Sequence, residues 1–120
     1  MNYIFDNDRP IYIQLVEKLK TEIISGNLKP GERIPSVREL AITLKVNPNT
    51  VQKALAELED IELIFTERTN GKFVTNNSKL IEKMKKELAD EKVKKYLNDM
   101  KNIGITYEES ILYLQELGGK

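Results

Sequence analysis

The chain has 120 residues, 40% of them hydrophobic and 32% charged, which is typical of one soluble, largely helical domain with at most a small appendage. It contains no cysteine and no histidine, which excludes a disulfide framework and thiolate chemistry and removes the commonest general base and transition-metal ligand. Its formal net charge is zero, so any binding to nucleic acid must depend on cations placed locally.

The first predicted helix begins after Arg9-Pro10, because proline is well tolerated at the first helical position. Gly26 ends this helix, and residues 27–35 (NLKPGERIP) are predicted to form a turn-rich connection. The helix carries a wide apolar stripe made of Ile11, Tyr12, Leu15, Val16, Leu19, Ile23 and Ile24.

Two short helices follow, and their N-terminal caps predict where they begin. Ser36, with Glu39 three residues later, forms a capping box at the start of the second helix. Asn47 is a good N-cap for the third helix, residues 48–60, and Pro48 occupies its first position. Two short helices joined by a brief turn are typical of a helix-turn-helix, but this pattern alone fits a helical corner in any small bundle equally well. The predicted buried stripe of the third helix consists of Val51, Ala54, Leu55 and Leu58.

A short β-hairpin is predicted after the third helix. Leu63–Thr66 and Lys72–Thr75 are rich in residues that favour strands, and Asn70-Gly71 between them is a strong hairpin signal. Three helices followed by a hairpin form a winged helix-turn-helix, and this order shifts the interpretation firmly towards DNA binding.

The remainder of the chain is predicted to be helical. A helix of roughly twenty residues follows Ser78, Gly104 fits its C-cap, and a second capping box of Thr106 and Glu109 begins a short last helix. Two such helices cannot cover all of their apolar side chains between themselves, so we expect a second copy of the chain to cover them. The side chains predicted to form this dimer interface are Leu80, Met84, Leu88, Tyr96, Leu97, Met100, Leu112 and Leu114.

The exposed face of the third helix carries the groups that we expect to read DNA. At helical spacing, Asn49, Gln52 and Lys53 lie roughly opposite the buried stripe. Asparagine and glutamine can pair bidentately with adenine in the major groove, and lysine can meet a phosphate or a guanine. Asn47 and Thr50 lie at the helix start, where side chains and free backbone N–H groups suit phosphate contacts. The alternative is that these residues form an ordinary solvated face.

The distribution of charge around this helix supports the DNA-binding interpretation. No acidic residue occurs between residues 40 and 56, whereas several follow in the last turn, so the C-terminal end of the helix is expected to point away from DNA. Arg38 on the second helix either pairs with a neighbouring glutamate or contacts DNA beside the third helix. Arg68 and Lys72 flank the hairpin turn, where they could reach the minor groove or the backbone, although Glu67 beside them weakens that case.

The motifs LKPGERIPSVRELA and VNPNTVQKAL have the order and spacing of the N-terminal domain of GntR-family bacterial transcription regulators, and residues 9–75 resemble that domain. The resemblance implies a winged helix-turn-helix that binds palindromic operators as a homodimer. Glu62 departs from the family, which usually has glycine before the first wing strand, and the wing sequence TNGKFV is shortened. The resemblance implies DNA contacts from Ser36, Arg38, Asn47, Asn49, Thr50, Lys53 and the wing glycine Gly71.

The short stretch after Asn76 resembles the tail of the YtrA-type subfamily, whose two-helix tail makes the dimer. Most other members of the family carry a large effector domain instead. Regulators of this subfamily often control neighbouring ABC-transporter genes, so the resemblance suggests a transporter operon as the target.

We therefore predict a mainly α protein with a small β-hairpin. Residues 1–76 are expected to form a winged helix-turn-helix DNA-binding domain, and residues 77–120 a two-helix C-terminal dimerisation tail. The predicted function is that of a sequence-specific transcription repressor that binds a palindromic operator as a homodimer, with recognition helices about one DNA turn, roughly 34 Å, apart. The alternative is a winged-helix protein-interaction module that does not bind DNA, which the neutral charge and the altered wing favour.

Several other properties are expected from what the sequence lacks. No stretch resembles a signal peptide or reaches transmembrane length, so we expect a cytoplasmic protein with no membrane partner. We predict no catalytic residues, no metal ligands and no cofactor, and therefore no enzyme activity. A small-molecule effector is left open, because the predicted tail is too small to enclose a typical metabolite alone.

Overall fold

The computed structural model describes residues 3–119, which form five helices and one hairpin. Contacts divide the chain into two units, Met1–Lys83 and Met84–Lys120, and the division falls inside the fourth helix. The boundary predicted at residue 76 divides a DNA-binding part from a dimerisation part, and this division by function stays a prediction. The elements are α1 (Ile11–Ile24), α2 (Val37–Leu44), α3 (Pro48–Asp60), β1 (Ile64–Glu67), β2 (Gly71–Val74), α4 (Ser78–Asn102) and α5 (Tyr107–Gly118).

The core of the first unit is built from the apolar stripes of its three helices. Leu15 and Leu19 of α1 and Leu55 of α3 are at most 1% exposed, and α2 adds Leu40. Burying one such leucine contributes roughly 1.5–3 kcal/mol relative to leaving it in water. The main role of this packing is to hold α3 by one face, which leaves the opposite face of α3 in solvent.

The two helix starts confirm the predicted caps. In α2 the Glu39 N–H donates to Ser36 Oγ at 3.1 Å, and the Ser36 N–H donates to Glu39 Oε1 at 3.1 Å. In α3 the Asn49 N–H donates to Asn47 Oδ1 at 2.8 Å, and Pro48 is the first helical residue. Because each cap satisfies N–H groups that the helix itself cannot, the helix-turn-helix forms where the sequence predicts it.

The turn between α2 and α3 depends on one left-handed residue. Lys45 has φ 56°, and the Val46 N–H donates to the Ala41 carbonyl at 3.0 Å, which closes the C-terminal end of α2. The two short helices are therefore joined within three residues, as a helix-turn-helix requires.

The hairpin forms, but its strands and its loop differ by one residue from the prediction. β1 and β2 pair antiparallel, with Ile64 opposite Val74 and Glu67 opposite Gly71, so the loop consists of residues 68–70. The prediction placed Leu63 in the first strand, whereas its N–H closes the end of α3. The prediction also placed Gly71 in the turn, whereas it is the first residue of β2, with φ 101°.

The connection before α2 pairs with β2 and so lies beside the hairpin like a short third strand. The Ile34 N–H donates to the Lys72 carbonyl at 2.8 Å, and the Val74 N–H donates to the Glu32 carbonyl at 2.9 Å. Arg33 lies opposite Phe73 in an isolated antiparallel bridge. From the sequence this segment is predicted only as a turn-rich connection, because its prolines and glycine favour turns. Its pairing depends on β2, which lies far along the chain. This pairing brings the start of α2 beside the wing.

The second unit contains the part of α4 from Met84 onwards and the whole of α5. Gly104, with φ 82°, turns the chain between them, and the predicted capping box of Thr106 and Glu109 forms at the start of α5. Tyr96 Oη donates to the Ser110 carbonyl at 2.7 Å. The fourth helix has 25 residues, which is longer than predicted. Among residues 3–119, no helix is both long and apolar enough to cross a membrane.

Candidate nucleic-acid interface

The exposed face of α3 presents the predicted polar residues to solvent. Asn49, Gln52 and Lys53 are exposed, and Thr50 is half-buried. The prediction of free backbone N–H groups at this helix start is wrong, because the N–H groups of Asn49 and Thr50 both donate to Asn47. Contacts between this helix start and a phosphate would therefore come from side chains.

Lys53 is positioned by a residue of α1. Its Nζ lies 3.7 Å from the centre of the Tyr12 ring, which is cation–π geometry. An exposed contact of this kind contributes about 0.5–1 kcal/mol, enough to favour one side-chain position without fixing it. Lys53 is predicted from the sequence to be a cation free to meet DNA, and its contact with Tyr12 is not part of that prediction.

The start of α2 places Ser36 and Arg38 in solvent, as predicted. Among residues 3–119 the Arg38 guanidinium has neither a hydrogen bond nor an ion pair. The alternative that Arg38 pairs with a neighbouring glutamate is therefore not seen in the described chain. Ser36 Oγ accepts the Glu39 N–H in the capping box. The pKa of Glu39 lies below its usual range, mainly because its carboxylate accepts the Ser36 backbone N–H. The Ser36 side chain and the nearby Arg33 guanidinium lower this pKa further. Glu39 therefore keeps a negative charge at this helix start.

The wing residues Arg68 and Lys72 differ in what they contact. Arg68 is exposed in the loop. Lys72 Nζ lies 2.8 Å from Glu59 Oε1 and 2.8 Å from Thr66 Oγ1, and its side chain is 21% exposed. The hydrogen bond from Lys72, followed by that from Thr66, holds the pKa of Glu59 below its usual range. Lys72 therefore joins the wing to the C-terminal end of α3, a contact that the sequence did not predict.

An open cleft of about 250 Å³ lies between the start of α2 and the wing loop. Ser36, Arg68 and Gly71 line it, together with Arg33, which is not among the residues predicted to bind DNA. One signal was available: three of the four arginines of this lysine-rich chain occur at residues 33, 38 and 68. The cleft brings together predicted residues from α2 and the wing, while Asn49 and Gln52 belong to the separate exposed face of α3.

Residues 11–74 match the family described as bacterial regulatory proteins, gntR family. The chain belongs to the GntR family. It is 37% identical over 118 residues to the HTH-type transcriptional repressor YtrA of Bacillus subtilis, an alignment that covers 92% of this chain and 90% of YtrA. The predicted resemblance to YtrA-type regulators is confirmed.

Solved structures agree with this family membership. A GntR family transcriptional regulator from Listeria monocytogenes superposes with a TM-score of 0.88 at 39% identity, covering 94% of this chain and 99% of that chain. The AraR DNA-binding domain in complex with operator ORX1 superposes with a TM-score of 0.56 at 25% identity, covering 62% of this chain and 95% of that one. This GntR-family protein is thus a transcription regulator with a winged DNA-binding domain, and its family is not enzymatic.

The departure of this GntR-family protein at Glu62 has a backbone explanation. Glu62 has φ 67°, the left-handed conformation that glycine adopts without steric cost. The Glu62 N–H donates to the Glu59 carbonyl and the Leu63 N–H to the Leu58 carbonyl, each at 3.0 Å, which closes α3. A glutamate here costs about 1–2 kcal/mol of strain, but the helix end keeps the geometry that the wing needs.

Proposed function

We propose that this regulator binds a palindromic operator as a homodimer, reads its sequence with α3 and represses transcription. The observation that carries the proposal is the exposed face of α3, where Asn49, Gln52 and Lys53 stand in a stretch without acidic residues from 40 to 56. The acids that follow lie at the other end of the helix, and one of them, Glu59, is bound to Lys72. The N-terminal half of α3 is therefore the part that a DNA backbone can approach.

Each part of the interface has its own task in this proposal. Asn49, Gln52 and Lys53 read base edges in the major groove, since amide side chains match adenine and lysine matches guanine. Side chains around them contact phosphates, which set the position of the protein without reading sequence. The phosphate contacts proposed are those of Ser36, Arg38, Asn47, Thr50 and Arg68, with the backbone at Gly71 and with Lys72 at the edge of the wing.

The homodimer is proposed from the exposed apolar side chains of the second unit. Leu112 and Leu114 are 61% and 53% exposed, and Leu117 is 81% exposed. Several large apolar side chains left in solvent on one short helix indicate an interaction site in a soluble protein. A second copy would cover it through a two-fold interface and place two recognition helices on the two halves of a palindrome.

The proposed function is tested by fluorescence anisotropy with the DNA immediately upstream of the protein's own operon and with a scrambled sequence of equal length. We expect wild type to prefer the upstream DNA, with affinity that falls steeply as salt rises. Asn49→Ala should weaken binding to the upstream DNA by about 1–3 kcal/mol and reduce the preference over scrambled DNA.

The matched control is Asn98→Ala, which removes an exposed helical asparagine from α4 and should leave both affinities unchanged. Equal and weak binding of wild type to both DNAs would contradict the proposal. It would favour the protein-interaction module instead, a reading supported by the engagement of Lys53 with Tyr12 and of Lys72 with Glu59.

The direction of regulation and the target genes rest on resemblance. The relative YtrA is named a repressor, and the subfamily resemblance suggests a neighbouring transporter operon. Deleting the gene should therefore raise the transcripts of its own operon, as measured by RNA sequencing against the parent strain. Lower or unchanged transcripts of that operon would contradict repression. Any small-molecule effector would act by changing this operator affinity.

A further inference from the structure

Arg33 lies at the junction between the wing loop and the start of α2. Its Nε donates to the Asn70 carbonyl at 3.1 Å, and its Nη1 lies 4.0 Å from Glu39 Oε1. A Cβ added to Gly71 would meet its Nε and Nη2 at 3.5 Å, so the guanidinium lies against the backbone of the first β2 residue. One arginine thus contacts the wing loop, β2 and the capping box of α2.

The position of Arg33 is set by the backbone on both sides. The neighbouring Ile34 N–H donates to the Lys72 carbonyl, and Arg33 itself is bridged to Phe73 of β2. With its Nε bound as well, the side chain has already lost much of the freedom that a flexible arginine would lose on binding. A guanidinium held in this way is prepared for a ligand rather than ordered by it.

Most of the hydrogen-bonding capacity of this guanidinium is unused. A guanidinium has five N–H donors, and only that of Nε has an acceptor among residues 3–119. The 4.0 Å approach to Glu39 is too long for a hydrogen bond, and the Arg33 side chain is 55% exposed. Four donors therefore remain available at the edge of the cleft that Arg33 lines.

The charges around the cleft favour an anionic ligand at Arg33. Of the cations that line it, Lys72 is bound to Glu59, whereas Arg33 and Arg68 are not neutralised by a hydrogen-bonded carboxylate in the described chain. One carboxylate, Glu67, also lines the cleft and accepts a hydrogen bond from the Asn70 amide, so the cleft keeps two such cations against one anion. Arg33 also offsets Glu39, whose charge would otherwise repel a phosphate from the start of α2. A planar guanidinium with paired N–H groups matches two oxygens of one phosphate.

We propose that Arg33 is a DNA phosphate-binding residue, which holds the backbone of the operator in the cleft between the start of α2 and the wing loop. The proposal rests on the proposed operator binding. Under this proposal the connection before α2 supplies a phosphate contact in addition to those of the shortened wing. Because phosphate contacts carry no sequence information, Arg33 contributes affinity to every DNA rather than preference for one.

The experiment compares wild type, Arg33→Gln, Arg33→Lys and Arg9→Gln in the full chain. Affinity for the upstream DNA and for scrambled DNA is measured by anisotropy between 50 and 200 mM salt. Arg9→Gln is the matched control, since it removes the same charge from an exposed arginine that is paired with Glu17 and does not line the cleft. Circular dichroism melts of all four proteins report their folding.

We expect Arg33→Gln to weaken binding to both DNAs by roughly tenfold, the effect of one charge-assisted hydrogen-bonded contact. The slope of log affinity against log salt should become shallower by about 0.9, the value for one lost phosphate contact. Its loss of affinity from 50 to 200 mM salt should then be smaller than that of wild type by about 3.5-fold. Arg33→Lys, which keeps a point charge without the planar fork, should retain the slope and lose less affinity.

Three outcomes would overturn the assignment. An unchanged salt slope in Arg33→Gln with weaker binding would show that Arg33 only positions the wing. Loss of preference for the upstream DNA would show a base contact instead, and an equal effect of Arg9→Gln would show a general charge effect. If Arg33→Gln does not fold, Arg33→Lys decides instead: weaker binding to both DNAs with the salt slope of wild type supports the contact, and unchanged affinity for both DNAs contradicts it. Absence of any preference in wild type would overturn the proposed function separately.

Discussion

The two units of this protein differ in where their apolar side chains lie. Every buried hydrophobic residue in the described chain falls between Leu15 and Ile81, within the first unit. In the second unit the one buried residue of the described part is the polar Ser110, whereas Ile103 and Leu117 are 72% and 81% exposed. The first unit therefore has a core of its own, while the helices of the second have caps and few buried contacts. This contrast in burial favours the proposal that a second copy covers the second unit, whereas the first unit already buries a core without a partner.

The largest expected effect is a loss of stability when the core of the first unit is disrupted. Leu55→Ala should lower the free energy of unfolding by about 2–5 kcal/mol, because it removes a fully buried side chain and leaves a cavity. Urea unfolding followed by circular dichroism measures it. Leu117→Ala is the matched control, since this leucine is 81% exposed and its loss should change the stability of an isolated chain by less than about 0.5 kcal/mol. Equal losses in the two variants would refute the contrast between the units.

The next prediction tests whether a second copy covers the tail. Leu114→Glu should convert the dimer to a monomer, because it would bury a charge in an apolar interface. Operator affinity should fall by about 100-fold or more, since the two half-sites would no longer be bound as one. Sedimentation velocity measures the oligomeric state. Gln115→Glu, which adds the same charge at the next exposed residue, should leave the dimer intact, and a dimeric Leu114→Glu protein would contradict this interface.

A third prediction separates binding from folding within the first unit. Arg38→Ala should weaken binding to upstream DNA more than tenfold, because the guanidinium is exposed beside the capped start of α2 and is unpaired among residues 3–119. The melting temperature should change little, because the exposed side chain makes no hydrogen bond or ion pair among residues 3–119. Arg9→Ala provides the comparison on the same unit. Unchanged operator affinity at fixed salt would remove Arg38 from the interface.

The smallest expected effect concerns strain at the end of α3. Glu62→Gly should raise the free energy of unfolding by about 1 kcal/mol, because glycine adopts φ 67° without the steric cost that glutamate carries. Glu57→Gly, in the helix itself, should instead lower it by about 1 kcal/mol. Chemical denaturation of both variants measures the two signs. A loss of stability in Glu62→Gly would mean that the glutamate side chain contributes more than its backbone costs.

The local elements could be predicted from sequence because their causes lie within a few residues. The capping boxes at Ser36 and Thr106 form, and α3 begins at Pro48 and ends at Asp60 as expected. Each depends on hydrogen bonds that span three or four residues or on the helical spacing of apolar side chains. The family motifs added the order of these elements, and the solved relatives confirm the fold.

The contacts that shape the candidate interface were decided by tertiary structure. Arg33 meets Asn70 across 37 positions, Lys72 meets Glu59 across 13, and Lys53 meets the ring of Tyr12 on another helix. No local pattern encodes such pairs, because they exist only after the wing and α1 have packed against α3. The sequence by itself therefore determined which elements form and which faces are polar. Packing decided which of the cations are bound within the protein and which remain available to DNA.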